Sequence, residues 1–352
     1  LLFTVRERVI ITLRQYIPGD KEKGLAEALL IGYKDDLDKN LVQSYSNTGV
    51  VHIIAISGMH LALIYWLLTF ICRPLQKTRS SRLVAAIFTI AVLWLFSLMA
   101  GGQASVLRSA VMFSCIVAGK TFSRESSIFN SLAFSAFILL CYNPFWLWDV
   151  GFQLSYAAVL SIVIFMKPIY DLFYIKNKAL DYVWKLNAVT IAAQLLTTPI
   201  SIYHFHQFPN FFLLTNFIAV PLSGLILLGE IFLCAISFMP FLANLAGKAL
   251  SFLIYLMNTW IEKIESLPFS LWDGLQTSIL QTILLLLVVA GFGYWLLGER
   301  KTLLWFGLAS LVLFVSFRSF SFWRAENQKK LIVYNVPKHQ AIDLVDGRKY
   351  FF

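Results

Sequence analysis

The 352 residues are 59% hydrophobic and only 14% charged, against about a quarter charged in an average soluble domain. A soluble globule cannot hide that much apolar surface, so the composition excludes a water-soluble enzyme or binding module and predicts an all-α polytopic membrane protein. The net charge of +10 fits either nucleic-acid binding or membrane topology, and its distribution along the chain has to decide between them.

The chain begins at Leu1 with no Met and no signal-peptide pattern, which predicts that a further segment precedes it. Residues 1–49 read as a separate amphipathic helical segment, broken at Pro18-Gly19 and restarted with Asp35 or Asp36 as a cap. With seven Lys and Arg, this segment fits a domain remnant or an interfacial stretch. A core of roughly ten transmembrane or half-membrane helices follows, at about 50–72, 83–100, 105–119, 126–142, 145–166, 188–204, 211–239, 241–257, 278–297 and 302–317. Trp94, Trp146, Trp148, Trp295 and Trp305 lie within or near the ends of these runs, where indole rings settle at the membrane interface. Alternate loops differ sharply in charge. One set carries Arg73, Lys77, Arg79, Arg82, Lys120, Arg124, Lys167, Lys176, Lys178, Lys185, Arg300 and Lys301, and the other little besides Lys263. The positive-inside rule makes the first set cytoplasmic and both terminal segments extracytoplasmic.

Polar residues at membrane depth are the candidates for function, because unsatisfied polar groups there cost several kcal/mol. The first span contains His52, Ser57, Gly58 and His60. Gly58 removes a side chain and Ser57 can bond a freed carbonyl, so the helix is expected to break, as helices do where transporters hold solute. A packing notch for a neighbouring helix is the alternative. A second break falls at Gly101-Gly102-Gln103-Ala104-Ser105, with Ser105 as the expected N-cap of a new helix. Arg108 lies one turn into that helix. It can grip an anion bidentately, with a helix start beside it that attracts phosphate, or form a buried ion pair with Asp149 or Glu230, the acidic residues read as lying inside other spans. Asp149, Gln153 and Tyr156 share one helical face by i, i+4 and i+7 spacing, and should look into the bundle.

Residues 318–352 read as the start of an extracytoplasmic β domain. Lys330–Val336 and Gln340–Val345 alternate, and Asp346-Gly347 marks a hairpin turn, which leaves a short β-hairpin from an incomplete domain. Cys72, Cys115, Cys141 and Cys234 have no metal or redox spacing and read as packing residues. No cofactor is expected.

These motifs together resemble the ComEC competence family. The stretch His52-Ile53-Ile54-Ala55-Ile56-Ser57-Gly58-Met59-His60-Leu61 looks like its signature, and Gly24–Gly32 resembles the segment before it. Arg108 with Val111 and Met112, Asn143-Pro144, and Gly151–Ala158 are further matches. The resemblance implies a channel in the bacterial cytoplasmic membrane that passes transforming DNA inward as a single strand, with other competence-machinery proteins as partners alongside membrane lipids. Relatives often carry an OB-fold domain and a metallo-β-lactamase-like domain. The tail here offers only His339 as a ligand, without a His-x-His-x-Asp-His cluster, so no nuclease chemistry is assigned and the chain is expected not to be an enzyme. Two rival classes remain. An intramembrane serine hydrolase would use Ser57 with His60, or with a distant histidine such as His204 or His206. A secondary transporter of a small anion or proton-coupled solute would use Arg108, Asp149 and Glu230.

Overall fold

The computed structural model describes residues 2–75, 78–122, 127–298, 301–336, 339–347 and 349–351. Lys77, Arg124, Arg300 and Arg348 lie outside them, and His339 is described only in its backbone. Contacts divide the chain into two compact units, 1–275 and 276–352.

The first unit opens with α1 (Leu2–Tyr16), α2 (Asp20–Ile31) and α3 (Lys39–Asn47). Pro18 and Gly19, the latter at φ +86°, separate α1 from α2, and Gly32 at φ +70° ends α2. The cap of α3 is Asp38, which accepts from the Leu41 amide at 2.8 Å, and not Asp35 or Asp36. Asp36 is instead engaged by Arg14. The amino-terminal helices are not set apart from the membrane core. Every residue of α2 from Gly24 to Ile31 is buried. Leu13, Leu25, Leu29 and Tyr45 form one apolar cluster with Ile226, Ile254, Met257 and Ile261. Arg14, one of the charges that made this segment look peripheral, is paired within it. Glu27, fully buried, accepts from Arg14 Nε at 2.7 Å, and this bond pushes the guanidinium pKa above the ordinary arginine range.

The first span is interrupted, as its sequence predicts. It forms the four-residue α4 (Val51–Ile54), an extended link, and α5 (Gly58–Cys72). At 1.5 Å per residue the 15 residues of α5 reach about 22 Å, short of the roughly 30 Å hydrocarbon core, so α5 alone does not cross it. Next come α6 (Arg79–Met99), α7 (Ala104–Thr121), α8 (Ile128–Tyr142), α9 (Val150–Tyr170), α10 (Lys178–Phe205), α11 (Phe212–Ile236) and α12 (Pro240–Glu265). Two short strands, β1 (Phe208–Pro209) and β2 (Leu271–Trp272), pair antiparallel beside α10 and α12. A second cluster, including Ile56, Leu61, Leu93, Val106 and Ala110, joins α5, α6 and α7. A third, of Ala104, Val111, Leu139 and Phe152, joins α7 to α8 and α9.

The second unit pairs α13 (Ile279–Gly298) with α14 (Lys301–Glu326), Gly291 packing against Gly307. It ends in β3 (Lys329–Val336), β4 (His339–Asp346) and β5 (Lys349–Phe351), an antiparallel sheet in the order β3-β4-β5. Gly347 at φ +62° sits in the turn where Asp346 pairs with Lys349.

Among the described residues, eight helices, α6, α7 and α9–α14, are long and apolar enough to cross a membrane, and α5 and α8 are shorter apolar helices. These coincide with the ten expected spans. Large apolar side chains such as Phe70, Phe88, Phe137 and Phe252 face outward, as a lipid solvent allows. Of the eight long helices α7 is the most enclosed, with 44% of its apolar window buried.

Candidate functional site

The α5 break is closed by its own side chains. The Ser57 hydroxyl accepts from the Met59 amide at 3.3 Å, the His60 Nδ1 accepts from the Ser57 amide at 3.1 Å, and the same Nδ1 lies 3.1 Å from Ser57 Oγ. This reciprocal arrangement is a capping box with histidine in place of the usual glutamate. It satisfies amides that the interruption exposes inside the core. His60 is fully buried and its Nε2 has no partner among the described residues. Ser57 and His60 therefore meet at nucleophile-to-base distance, but no carboxylate reaches Nε2 to orient the ring as a hydrolase requires. His52, on α4, is exposed and takes no part in the cap.

Gly58 places the break against α7. A Cβ added there would lie 2.7 Å from Ser109 Oγ and 2.8 Å from Arg108 Nη2. The glycine is thus both the first residue after the break and a notch for an arginine, so the two expected readings describe one contact. Arg108 itself is 5% exposed. Its Nε donates to Ser155 Oγ at 2.8 Å and its Nη2 to Ser109 Oγ at 3.1 Å, Nη1 faces the Met112 sulfur at 3.4 Å, and the guanidinium lies 5.7 Å from the centre of the Tyr156 ring. All its neighbours here are neutral. The expected ion pair with Asp149 or Glu230 is not formed, because both carboxylates are placed elsewhere.

Asp149 is not inside a span. Residues 144–148 form a short 3-10 turn, and Asp149 follows it as the N-cap of α9, accepting from the Phe152 amide at 2.7 Å. Glu230 is buried in α11 with neither oxygen bonded among the described residues. Arg108, Asp149 and Glu230 do not converge into one solute site. The predicted polar face of α9 also divides. Gln153 donates to the Leu147 carbonyl at 2.9 Å and meets His204 Nε2 on α10 at 3.1 Å, whereas the Tyr156 hydroxyl meets Ser135 Oγ on α8 at 2.9 Å.

The second break is open where the first is closed. Gly101 and Gly102 take left-handed φ values of +85° and +61°, and their amides donate to Leu98 and Ser97 carbonyls, ending α6. Helical geometry resumes at Ala104, so the cap position belongs to Gln103, whose side chain makes no capping bond, and Ser105 is already inside α7. Sequence places the cap two residues late because Ser is the better capping type and the second left-handed glycine is not visible in composition. A cavity of about 300 Å³ opens at this uncapped start, lined by Gly102, Gln103, Ala104, Ser105, Trp146, Asp149 and Gly151.

Ser109 and Ser135 were not anticipated as partners here. The signal was available in part, since Ser109 adjoins Arg108 and Ser155 lies within the Gly151–Ala158 motif.

The sequence model of the family described as "Competence protein" matches residues 29–301. The chain belongs to the competence protein family. The match runs from α2 to the first residue of α14, and so contains both breaks, Arg108 and Glu230. The chain is 30% identical over 220 residues to ComE operon protein 3 of Bacillus subtilis (strain 168), covering 62% of this chain and 27% of that protein. It is 26% identical over 235 residues to Recombination protein 2 of Haemophilus influenzae, covering 64% of this chain and 30% of that protein. An uncharacterized protein of Aquifex aeolicus is 23% identical over 272 residues, 74% of this chain and 60% of its own. The matched regions thus span less than a third of the first two relatives' length. No solved structure matches the chain.

Proposed function

We propose that this competence family member forms the membrane core of a DNA-uptake channel, passing single-stranded transforming DNA inward across the bacterial cytoplasmic membrane. The observation that carries the reading is Arg108, a guanidinium 5% exposed at membrane depth whose hydrogen-bond partners are Ser155, Ser109 and Met112. A buried cation without a counter-charge is costly, and a strand carrying one phosphate per nucleotide supplies a counter-charge as it passes. The uncapped α7 start, at the cavity beside Trp146, adds unpaired amides that favour anions and an aromatic face on which a base can stack. In this reading Ser57, Gly58, His60, Ser105, Gln153 and Tyr156 shape the path around Arg108, and His52, Gly101, Gly102, Asp149 and Glu230 border it or set its hinges. Basic loops lie on the cytoplasmic side and both terminal segments outside. Partners are single-stranded DNA, membrane lipids and other proteins of the competence machinery.

The test is transformation of a deletion strain complemented with the full-length protein carrying Arg108→Ala or Gly58→Leu. Both variants are expected to lose transformation, by at least about tenfold if 1.4 kcal/mol of phosphate binding is removed, while an immunoblot shows normal membrane abundance of Arg108→Ala. Normal transformation in both variants would sink the proposal.

A further inference from the structure

Glu230 lies in the second half of α11 and is 0% exposed, and neither of its carboxyl oxygens has a hydrogen-bond partner among the described residues. Contacts on either side of it join α11 to its neighbours. A Cβ on Gly224 would touch Leu63 of α5 at 3.4 Å, and Ile231 packs against the cluster that holds Ile56 and Leu61. Ile231 also packs against the cluster of α1–α3, α11 and α12. Glu230 thus sits where two separate apolar clusters meet along one helix.

Among the titratable groups on the elements packed against α11, Arg6 of α1 has a buried Nε with no partner among the described residues, and its guanidinium lies 5.7 Å from the centre of the Tyr33 ring. On α1 and α2, Arg14 and Glu27 bond each other. On α5, His60 Nδ1 meets Ser57, and its Nε2 has no partner among the described residues. On α10, His204 meets Gln153, and on α12, Glu262 pairs with Lys21 and Lys248 is exposed. Cys234 lies one turn further along the same helix. A leucine would fill the position without an unmet hydrogen bond, so packing does not account for a carboxyl here. An ionisable group kept inside a membrane bundle at this cost marks a site where charge is taken up and released.

We propose that Glu230 is a proton-binding site of the membrane core, neutral while the seam between the two clusters is closed and ionised when that seam opens to water. On opening, the O–H bond breaks, its electron pair stays on the carboxylate and the proton passes to water. Closing reverses the step. Ionisation and seam opening are then one linked equilibrium, since the dry seam accepts only the neutral form. The inference goes beyond the DNA-channel reading and does not rest on it.

Cys234 reports on the seam. Full-length protein in liposomes, with Cys234 as its only cysteine, is labelled with a maleimide from mildly acidic to mildly alkaline pH and compared with the same protein carrying Glu230→Gln, which cannot ionise. Thiolate content rises with pH in both, and a carboxylate one turn from Cys234 disfavours the thiolate, so a steeper rise with Glu230 present reports the opening of the seam. The expected result is a steeper rise in labelling with Glu230 present, several-fold above the Glu230→Gln profile at the alkaline end. Superimposable profiles overturn the proposal. Should Glu230→Gln fail to insert, the infrared C=O stretch of an unbonded carboxylic acid is followed in the unsubstituted protein and in Glu230→Asp. A band that shifts in the variant and fades as pH rises supports the site, and its absence at every pH overturns it. Loss of DNA uptake in Arg108→Ala bears on neither outcome.

Discussion

At the α5 break, Ser57 and His60 close the exposed amides between them and Gly58 is pressed onto Arg108 and Ser109, whereas the turn between α6 and α7 leaves its new helix start without a side-chain cap. A Cβ at Gly101 or Gly102 would meet nothing within 4 Å, while one at Gly58 would meet two atoms inside 3 Å. Both breaks arise at glycine in apolar sequence. Glycine serves at Gly58 because there is no room, and at Gly101 and Gly102 because the backbone turns left-handed. The first break is a packed joint and the second an open mouth.

The contrast is broken most severely by Gly58→Leu. Overpacking at that contact should destabilise the protein by about 1–3 kcal/mol or more and abolish transformation, read as a lower denaturation midpoint in detergent and a loss of transformants. Gly58→Leu with an unchanged midpoint would mean the joint is not packed as described. Alanine at Gly101 or Gly102 costs about 1–2 kcal/mol each through the left-handed backbone alone, with no steric term. Asparagine, which tolerates that conformation, should recover part of the loss in the same melt. His60→Ala removes the cap and should cost about 1 kcal/mol. His60→Asn, with an oxygen able to accept from the Ser57 amide, should cost less. The smallest effect is expected for Asp149→Asn, which keeps an acceptor for the Phe152 amide and should stay within about 0.5 kcal/mol of the parent. A large loss there would show that the carboxylate charge, and not its capping bond, matters at the open mouth.

Much of this was legible in sequence, for identifiable reasons. Ten apolar runs gave ten apolar helices because membrane depth dictates their length. The α5 break was readable because Ser57, Gly58 and His60 are polar or small where lipid-depth helices are not. What failed was pairing across helices. An arginine and two acids in apolar surroundings left an ion pair open beside anion binding, yet Asp149 falls outside its span once residues 144–148 form a 3-10 turn, and Glu230 is buried without a partner among the described residues. No periodicity reveals such a turn. The burial of α2 was equally hidden, because Glu27 looks solvent-facing until Arg14, thirteen residues earlier, is seen to hold it. Capping at Asp38 in place of Asp35 or Asp36, and at Gln103 in place of Ser105, shows that composition locates a helix start within a few residues and backbone geometry selects among them.

The central claim is that single-stranded DNA passes beside Arg108. A photo-crosslinking residue is placed in the full-length protein at Ser105, at Ser155, or at the outward-facing Phe137 of α8, and cells are irradiated while taking up labelled DNA. The account predicts adducts to the single strand from positions 105 and 155 and none from 137. Efficient transformation with no adduct from either inner position would contradict it.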